Sequence, residues 1–384
     1  MPSGPSGRTV AHAAKTHAII ALVPSAQVRL MGTSLPGDGR ASRKGIGSRV
    51  TMPGFVRPFS VLFDAPPHRG PVTDHFDGRR FHNRESTEHA GFGSLIKWMA
   101  GRKKGPWTRV DPEPGPPPPE RVTGETCRVT FVGHATLLVQ MDGMNLLTDP
   151  VWGARVGPGA RLGPKRFRPP ALNFDDLPPI DAVLLSHNHY DHLCEPTMRR
   201  LAETHGPVVY TGLGNGALLR RYGIEEVHEL GWWQSAPFGE TAVTAVPMRH
   251  FSGRGATDRD RTLWCGLHVA HPAGGLLFAG DTGYGEHFAA IRERLGGPRV
   301  ALLPIGAYRP RWFMRSVHVD PAEAVQAHRD LGAQTSVAMH FGTFALADDG
   351  MEEPLRDLAD ARTEQGVDEA SFRVLDHGIG AELP

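Results

Sequence analysis

The stretch Ser186-His187-Asn188-His189-Tyr190-Asp191-His192 carries four potential metal ligands within six residues: His187, His189, Asp191 and His192. It closes the apolar run Ala182-Val183-Leu184-Leu185, which reads as a buried strand. Imidazoles and a carboxylate suit zinc and its neighbours in softness. The polar turn after a buried strand is also where α/β proteins place their chemistry. His187 and His189 are two residues apart, so an extended backbone leans both to one side. Asp191 and His192 are adjacent and diverge, and each can reach a second metal if the chain turns there. The bland alternative is a polar loop of solvated histidines, against which stand the number and spacing of the ligand types.

One loop cannot complete a two-metal site, and three further candidates each follow a predicted strand: His250 after 241–246, Asp281 after 276–280 and His340 after 336–339. A rigid sheet holds groups at its strand ends, as a preorganised metal pair requires. The remaining elements follow from pattern. Strands are expected at 128–132, 136–141 and 144–148, with Asp142-Gly143 as a hairpin turn between the last two. Others are expected at 182–185, 208–210, 263–269, 276–278 and 300–303, and helices at 94–99, 195–204, 217–222, 286–295 and 321–331. The last helix has Asp320 as N-cap, Pro321 at its first position, Glu323 two residues on and Gly332 just past its end. Alternating strands and helices imply an α/β class, with sheets covered by helices.

Composition sets the outer limits. The chain has 384 residues, a formal net charge of +1 and 22% charged residues, so no global field points to nucleic acid. Cys127, Cys194 and Cys265 are far apart, odd in number and without zinc-finger spacing, which argues for a reducing, cytoplasmic location without a disulfide framework. No apolar run approaches the ~18 residues that span a bilayer. The run Ala18-Ile19-Ile20-Ala21-Leu22-Val23 is broken by Pro24 and lacks a following Ala-x-Ala site.

Three segments are expected: a basic, low-complexity, disordered leader over 1–70, an extension with a Pro-rich linker over 71–120, and the domain that carries the ligand candidates over 121–384. The leader has nine Lys or Arg against two Asp, so attraction to anionic lipid is its functional reading and a solvated tail its bland one. His134 is expected beside the site in a supporting role, and His318, just ahead of the Asp320 cap, as a catalytic, substrate or supporting contact. His205, His228, His268, His271, His287, His328 and His377 are expected on surface helices or loops.

The pattern His-x-His-x-Asp-His resembles the signature of the metallo-β-lactamase superfamily. Further motifs narrow the resemblance: Leu147-Thr148-Asp149-Pro150, Gly163-Pro164-Lys165-Arg166-Phe167-Arg168, Ala279-Gly280-Asp281-Thr282-Gly283-Tyr284, Pro304-Ile305-Gly306-Ala307-Tyr308-Arg309-Pro310-Arg311-Trp312-Phe313-Met314 and His340-Phe341-Gly342-Thr343-Phe344. Together, from about residue 72 to 347, they are similar to the N-acylphosphatidylethanolamine-hydrolysing phospholipase D family. One departure is Cys194, where an acidic residue is expected.

The resemblance implies a four-layer αβ/βα sandwich with two Zn2+ at one edge of the facing sheets, other divalent metals being admissible. It assigns one metal to His187, His189 and His250, the other to Asp191, His192 and His340, with Asp281 between them. Asp191, Asp281 and His318 are the catalytic candidates. It further implies cleavage of a glycerophospholipid phosphodiester by a metal-bound hydroxide, giving phosphatidic acid and an N-acylethanolamine. Lys165, Arg166 and Arg168, with Arg309 and Arg311, are candidates for orienting the phosphate. Tyr190, Tyr308 and Trp312 are candidate substrate contacts, with Phe313 and the Trp232-Trp233 pair as groove or core. The partners implied are a phospholipid and a membrane surface bound peripherally; a homodimer is compatible and nucleic acid is not expected. A lactonase or phosphodiesterase of soluble substrates would use the same ligands. A flavodiiron-like oxidoreductase would need a flavin module, and a non-catalytic metal protein would not need every ligand position filled.

Overall fold

The computed structural model describes residues 64–85 and 92–384. The leader expected over 1–70 lies outside the described residues as far as position 63. Among the described residues the first helix is α1 (Phe92–Gly101), and a long extended segment leads from it to the hairpins β1 (Cys127–Gly133), β2 (Thr136–Met141) and β3 (Met144–Thr148). Then come β4 (Ala182–Leu185), α2 (Glu195–Thr204), β5 (Val208–Gly212), α3 (Gly216–Arg221), β6 (Val227–Leu230), β7 (Ser235–Phe238), β8 (Thr241–Val246), β9 (Gly266–Val269) and β10 (Leu276–Phe278). The chain ends with α4 (His287–Leu295), β11 (Val300–Pro304), α5 (Arg311–Met314), α6 (Pro321–Leu331), β12 (Thr335–Met339), α7 (Glu353–Gln365), β13 (Phe372–Arg373) and β14 (Gly380–Leu383).

These strands form two seven-stranded mixed sheets, ordered β14-β1-β2-β3-β4-β5-β6 and β13-β12-β11-β10-β9-β8-β7. The run β3 to β6 is parallel in one, and β10 to β13 in the other. Side chains on β4 divide by parity, as alternation across a strand requires. Ala182 and Leu184 join the core shared by the two sheets and by α4, α6 and α7. Val183 and Leu185 face the outer core beneath α2 and α3, with Met198, Leu201, Leu218 and Leu219. The α/β class and the layered sandwich are therefore as expected.

Helix α6 starts on a full capping box, with Asp320 accepting from the Glu323 amide at 2.8 Å, and ends on Gly332 at φ 60°. The strand expected at 263–269 starts only at Gly266, because its first half belongs elsewhere. The Leu263 and Cys265 amides donate to the carbonyls of Leu213 and Ser186 at 2.8 and 3.0 Å, stitching the run to the ends of the first sheet. Several described residues of the segment before the sheets pack against the body. Phe76 and Phe81 are buried, and His75 stacks on Trp232 at 4.7 Å. Leu95 and Trp98 of α1 pack on Ala307, Phe313, Met314 and Ala347. In the proline-rich stretch, Gly115 donates to the Ala171 carbonyl at 2.7 Å, and the Pro119 carbonyl accepts from Gln140 at 2.7 Å.

Candidate metal centre

Four segments bring the candidate ligands together, each leaving the C-terminal end of a strand. The turn after β4 delivers His187, His189, Asp191 and His192; the ends of β8, β10 and β12 lead to His250, Asp281 and His340. Ligands from different strands can converge only if the backbones come close. Gly280 permits this: its φ is +61°, and a Cβ there would lie 2.4 Å from the Cβ of Ser186. His134, Asp149 and His340 also hold positive φ values of 59°, 29° and 63°, conformations that non-glycine residues keep only where the surroundings enforce them.

Three imidazole nitrogens meet at one point. Nε2 of His187 lies 2.8 Å from Nδ1 of His189, and Nε2 of His250 lies 3.3 Å from that same atom. The second group stands alongside. Nε2 of His192 is 3.1 Å from Asp281 Oδ2 and 3.4 Å from Asp191 Oδ2. Nε2 of His340 is 3.5 Å from Asp191 Oδ2 and 3.2 Å from Asp281 Oδ1, without hydrogen-bond geometry to either. Asp281 thus turns one oxygen toward His192 and the other toward His340, with His250 at 3.7 Å.

Clustered, buried nitrogens and carboxylates of this kind fit cations better than they fit one another. Nε2 of His340, the nitrogen that faces Asp191 and Asp281, is buried without a hydrogen-bond partner, and burial of unmet polar atoms is costly. Burial, with neighbouring imidazoles, holds His187 and His250 well below the ordinary histidine range, and burial lowers His189 to about 3. These rings are therefore neutral, as a metal ligand must be. For His192 and His340 burial also opposes the charged form, but Asp281 and Asp191 outweigh it, with Asp149 adding to the pull on His192; His192 rises well above its usual value and His340 to about 9. The carboxylates on that side demand positive charge.

The supporting groups were less legible. Asp149, noted in sequence only as part of a motif, is wholly buried and accepts from the Ser186 amide at 2.7 Å, the Ser186 hydroxyl at 2.6 Å and His192 Nδ1 at 2.5 Å. Its position at the end of β3, like that of Asp281 after β10, was the available signal. His250 Nδ1 meets the Val317 carbonyl at 2.9 Å, and His134 Nε2 meets Asp191 Oδ2 at 3.0 Å. Arg254 is buried; its Nη1 donates to the carbonyls of Asn188 and Leu193 at 2.8 and 2.9 Å, and its guanidinium lies 3.9 Å from the centre of the Tyr190 ring. Nothing local in the sequence marks a clamp that acts across more than sixty residues.

Other expected contacts fall in several places. His318 is beside the cluster, with Nδ1 3.9 Å from Asp281 Oδ2, buried and unpartnered. Tyr190 is buried with its hydroxyl unpartnered. Arg166 donates to the carbonyls of Gly153 and Val151 at 3.0 and 2.6 Å and lies over Phe344, leaving Nη1 free near Gly133 and Thr343. Lys165 is exposed, and Arg168 is half-buried near His377. Arg309 and Arg311 depart from expectation, because each is turned onto carboxylates: Arg309 onto Asp357 at 2.9 Å, Arg311 onto Glu323 at 2.6 Å. Tyr308 is buried and donates to Asp357 at 2.5 Å. Trp312 is 54% exposed at a groove of about 870 Å3 that it shares with Trp98, Tyr308, Pro310 and Ala361. Trp232 is core, donating to the Trp264 carbonyl at 2.9 Å. Of the histidines expected at the surface, His268, His287 and His328 are instead buried, since β9, α4 and α6 each turn that position inward.

Fold and site together define a metal-dependent hydrolase of the metallo-β-lactamase fold. The family model for a beta-lactamase superfamily domain matches residues 144–341. The structure is similar to the metallo hydrolase Igni18 of the archaeon Ignicoccus hospitalis, with a TM-score of 0.52 and 21% identity, over 67% of this chain and 99% of that one. In sequence, the chain is 36% identical to N-acyl-phosphatidylethanolamine-hydrolyzing phospholipase D 1 of Caenorhabditis elegans, over 65% of this chain and 74% of the worm protein. It is 33% identical to the mitochondrial enzyme of that name from Saccharomyces cerevisiae, over 62% of this chain and 53% of the yeast protein. The chain belongs to the N-acylphosphatidylethanolamine-hydrolysing phospholipase D family of the beta-lactamase superfamily. Among the described residues, no helix is long and apolar enough to cross a membrane.

Proposed function

We propose that the protein is a dinuclear zinc phosphodiesterase that hydrolyses N-acylphosphatidylethanolamine-like glycerophospholipids to phosphatidic acid and an N-acylethanolamine. It would work peripherally at a membrane surface facing a reducing compartment, as its three free, buried cysteines suit. The observation that carries the reading is Asp281, which stands between the two groups: its Oδ2 lies 3.7 Å from His250 Nε2 of one and 3.1 Å from His192 Nε2 of the other, and its Oδ1 3.2 Å from His340 Nε2. His187, His189 and His250 would hold one cation, Asp191, His192 and His340 the other, and Asp281 both. Such a pair, when bound, supplies Lewis-acid charge and a water of lowered pKa.

The chain's own groups supply the rest. Asp149 and the Val317 carbonyl fix the rings of His192 and His250 by accepting hydrogen bonds from their Nδ1–H groups. His134 fixes the Asp191 carboxylate by donating to it from Nε2. His318 is pushed down to about 4, first by burial, and so presents a neutral imidazole whose free Nδ1 can pass a proton to or from a phosphate oxygen. Arg166, with Nη1 unpaired and close to Gly133, next to His134, suits a phosphate oxygen. Trp312 and Tyr308 line a groove of a size to take an acyl chain. The test is zinc analysis of the purified protein together with mass spectrometry of products from a phospholipid panel. Release of N-acylethanolamine and phosphatidic acid with two zinc ions per chain supports the reading. Hydrolysis only of soluble esters or lactones overturns it.

A further inference from the structure

Arg311 is engaged by two carboxylates and a carbonyl. Its Nη2 lies 2.6 Å from Glu323 Oε2 and its Nε 3.1 Å from Asp320 Oδ2. Those two carboxylates are the capping box of α6. Its Nη1 donates to the His318 carbonyl at 2.8 Å. One guanidinium facing two carboxylates has no surplus charge to give a phosphate, so its spacing beside Trp312 needs another explanation.

The turn that Arg311 holds backs onto the metal cluster through two hydrogen-bond anchors. The Val317 carbonyl accepts from His250 Nδ1 at 2.9 Å. The Val319 amide donates to the Thr282 carbonyl at 2.8 Å, directly after Asp281, and the Thr282 hydroxyl accepts from the amide of Arg249, directly before His250. Between these two anchors, His318 sets its imidazole 5.2 Å from that of His250 and 5.6 Å from that of His340, centre to centre.

We propose that Arg311 is a positioning residue for the metal centre. By tying the His318 carbonyl to the cap of α6 it fixes the turn 317–319, and through the Val317 carbonyl it sets the tautomer and ring plane of His250. Its action is on metal geometry, not on substrate charge. The inference rests on the reading that His250 is a metal ligand. Partners one step removed from a ligand commonly change metal affinity or activity by roughly ten- to a hundredfold, and the low end applies to a group two steps away.

The experiment uses cobalt(II) as a visible probe in the full chain, comparing wild type, Arg311→Met, Arg311→Lys and Glu323→Gln. Absorption bands, cobalt retention against a chelator, and inhibition by inorganic phosphate are measured for each. Arg311→Met is expected to shift the bands and weaken retention about tenfold while phosphate inhibition stays unchanged. Arg311→Lys, which cannot span two carboxylates and a carbonyl, should fall between, and Glu323→Gln should move the same way by less. Unchanged bands and retention overturn the proposal, as does weakened phosphate inhibition over an intact spectrum, the mark of a substrate contact. If Arg311→Met does not fold, the other two variants decide by the same criteria. A wild-type chain that takes up no cobalt overturns both this inference and the metal reading beneath it, whereas uptake with insensitive variants overturns this one alone.

Discussion

His192 and Asp149 meet through Nδ1 and Oδ2 at 2.5 Å, both fully buried, with Ser186 donating twice to the same carboxylate. The pair fixes which nitrogen of His192 faces Asp191 and Asp281. It also places a third carboxylate within the positive demand of the site.

Asp149→Asn leaves the size of the side chain intact and removes the charge that holds the His192 tautomer. Zinc at the Asp191, His192 and His340 group should be held roughly ten- to a hundredfold more weakly. Chelator competition should show one zinc lost early and one at the wild-type rate; two unchanged phases would refute the role.

Removal of metal by a chelator should abolish turnover, and zinc should restore it. His340→Ala removes a group from only one of the two clusters, so it should lower zinc stoichiometry from two per chain toward one, measurable by elemental analysis. Full occupancy by two ions would contradict the assignment.

Trp312 is exposed, with the Lys97 ammonium 5.0 Å from its ring centre. Trp312→Ala should shift stability by no more than about 0.5 kcal/mol, as for other surface changes. It should reduce hydrolysis of long-chain lipids far more than that of a short soluble phosphodiester. Equal losses on both substrates would exclude an acyl contact.

Asp348 accepts from Trp98 Nε1 at 2.9 Å and from Arg102 Nε at 2.8 Å, fastening α1 and the residue after it to the body. Asp348→Ala strands a largely buried guanidinium and an indole donor, a loss of roughly 3 kcal/mol. Chemical denaturation should show it, with faster proteolysis within 92–104.

His268 and His377 are pushed down by burial, to about 4 and about 3. The unfolded chain therefore binds protons that the folded chain refuses between those values and the ordinary 6.5. Their effect is absent above about 6.5, and stability falls as pH drops below it. His268→Gln should flatten the decline of the melting temperature between pH 7 and pH 4; a parallel decline in wild type and variant would contradict this.

Much of this was readable in the chain because local signals coincided with tertiary placement. The β2–β3 hairpin, β4 and α6 carry their own turn, alternation and cap, and the ligand candidates stand at the ends of strands that periodicity marks. What escaped was set by long-range pairing. β13 and β14 are short strands that exist only because β12 and β1 offer them edges. The inward turn of His268 and the clamp of Arg254 depend on partners distant in the chain, and the commitment of Arg311 to Glu323 and Asp320, nearby in sequence, depends on how the turn between α5 and α6 folds back.

The mirrored order of the two sheets has a consequence for assembly. One half of the chain contributes His187, His189, Asp191 and His192, and the other His250, Asp281 and His340. Neither half holds the complete set proposed for either ion, so cations bound there would act as rivets across a seam. A folding intermediate with only one half formed would gain less from a cation, whereas the finished molecule would have to shed its ions before the seam could part.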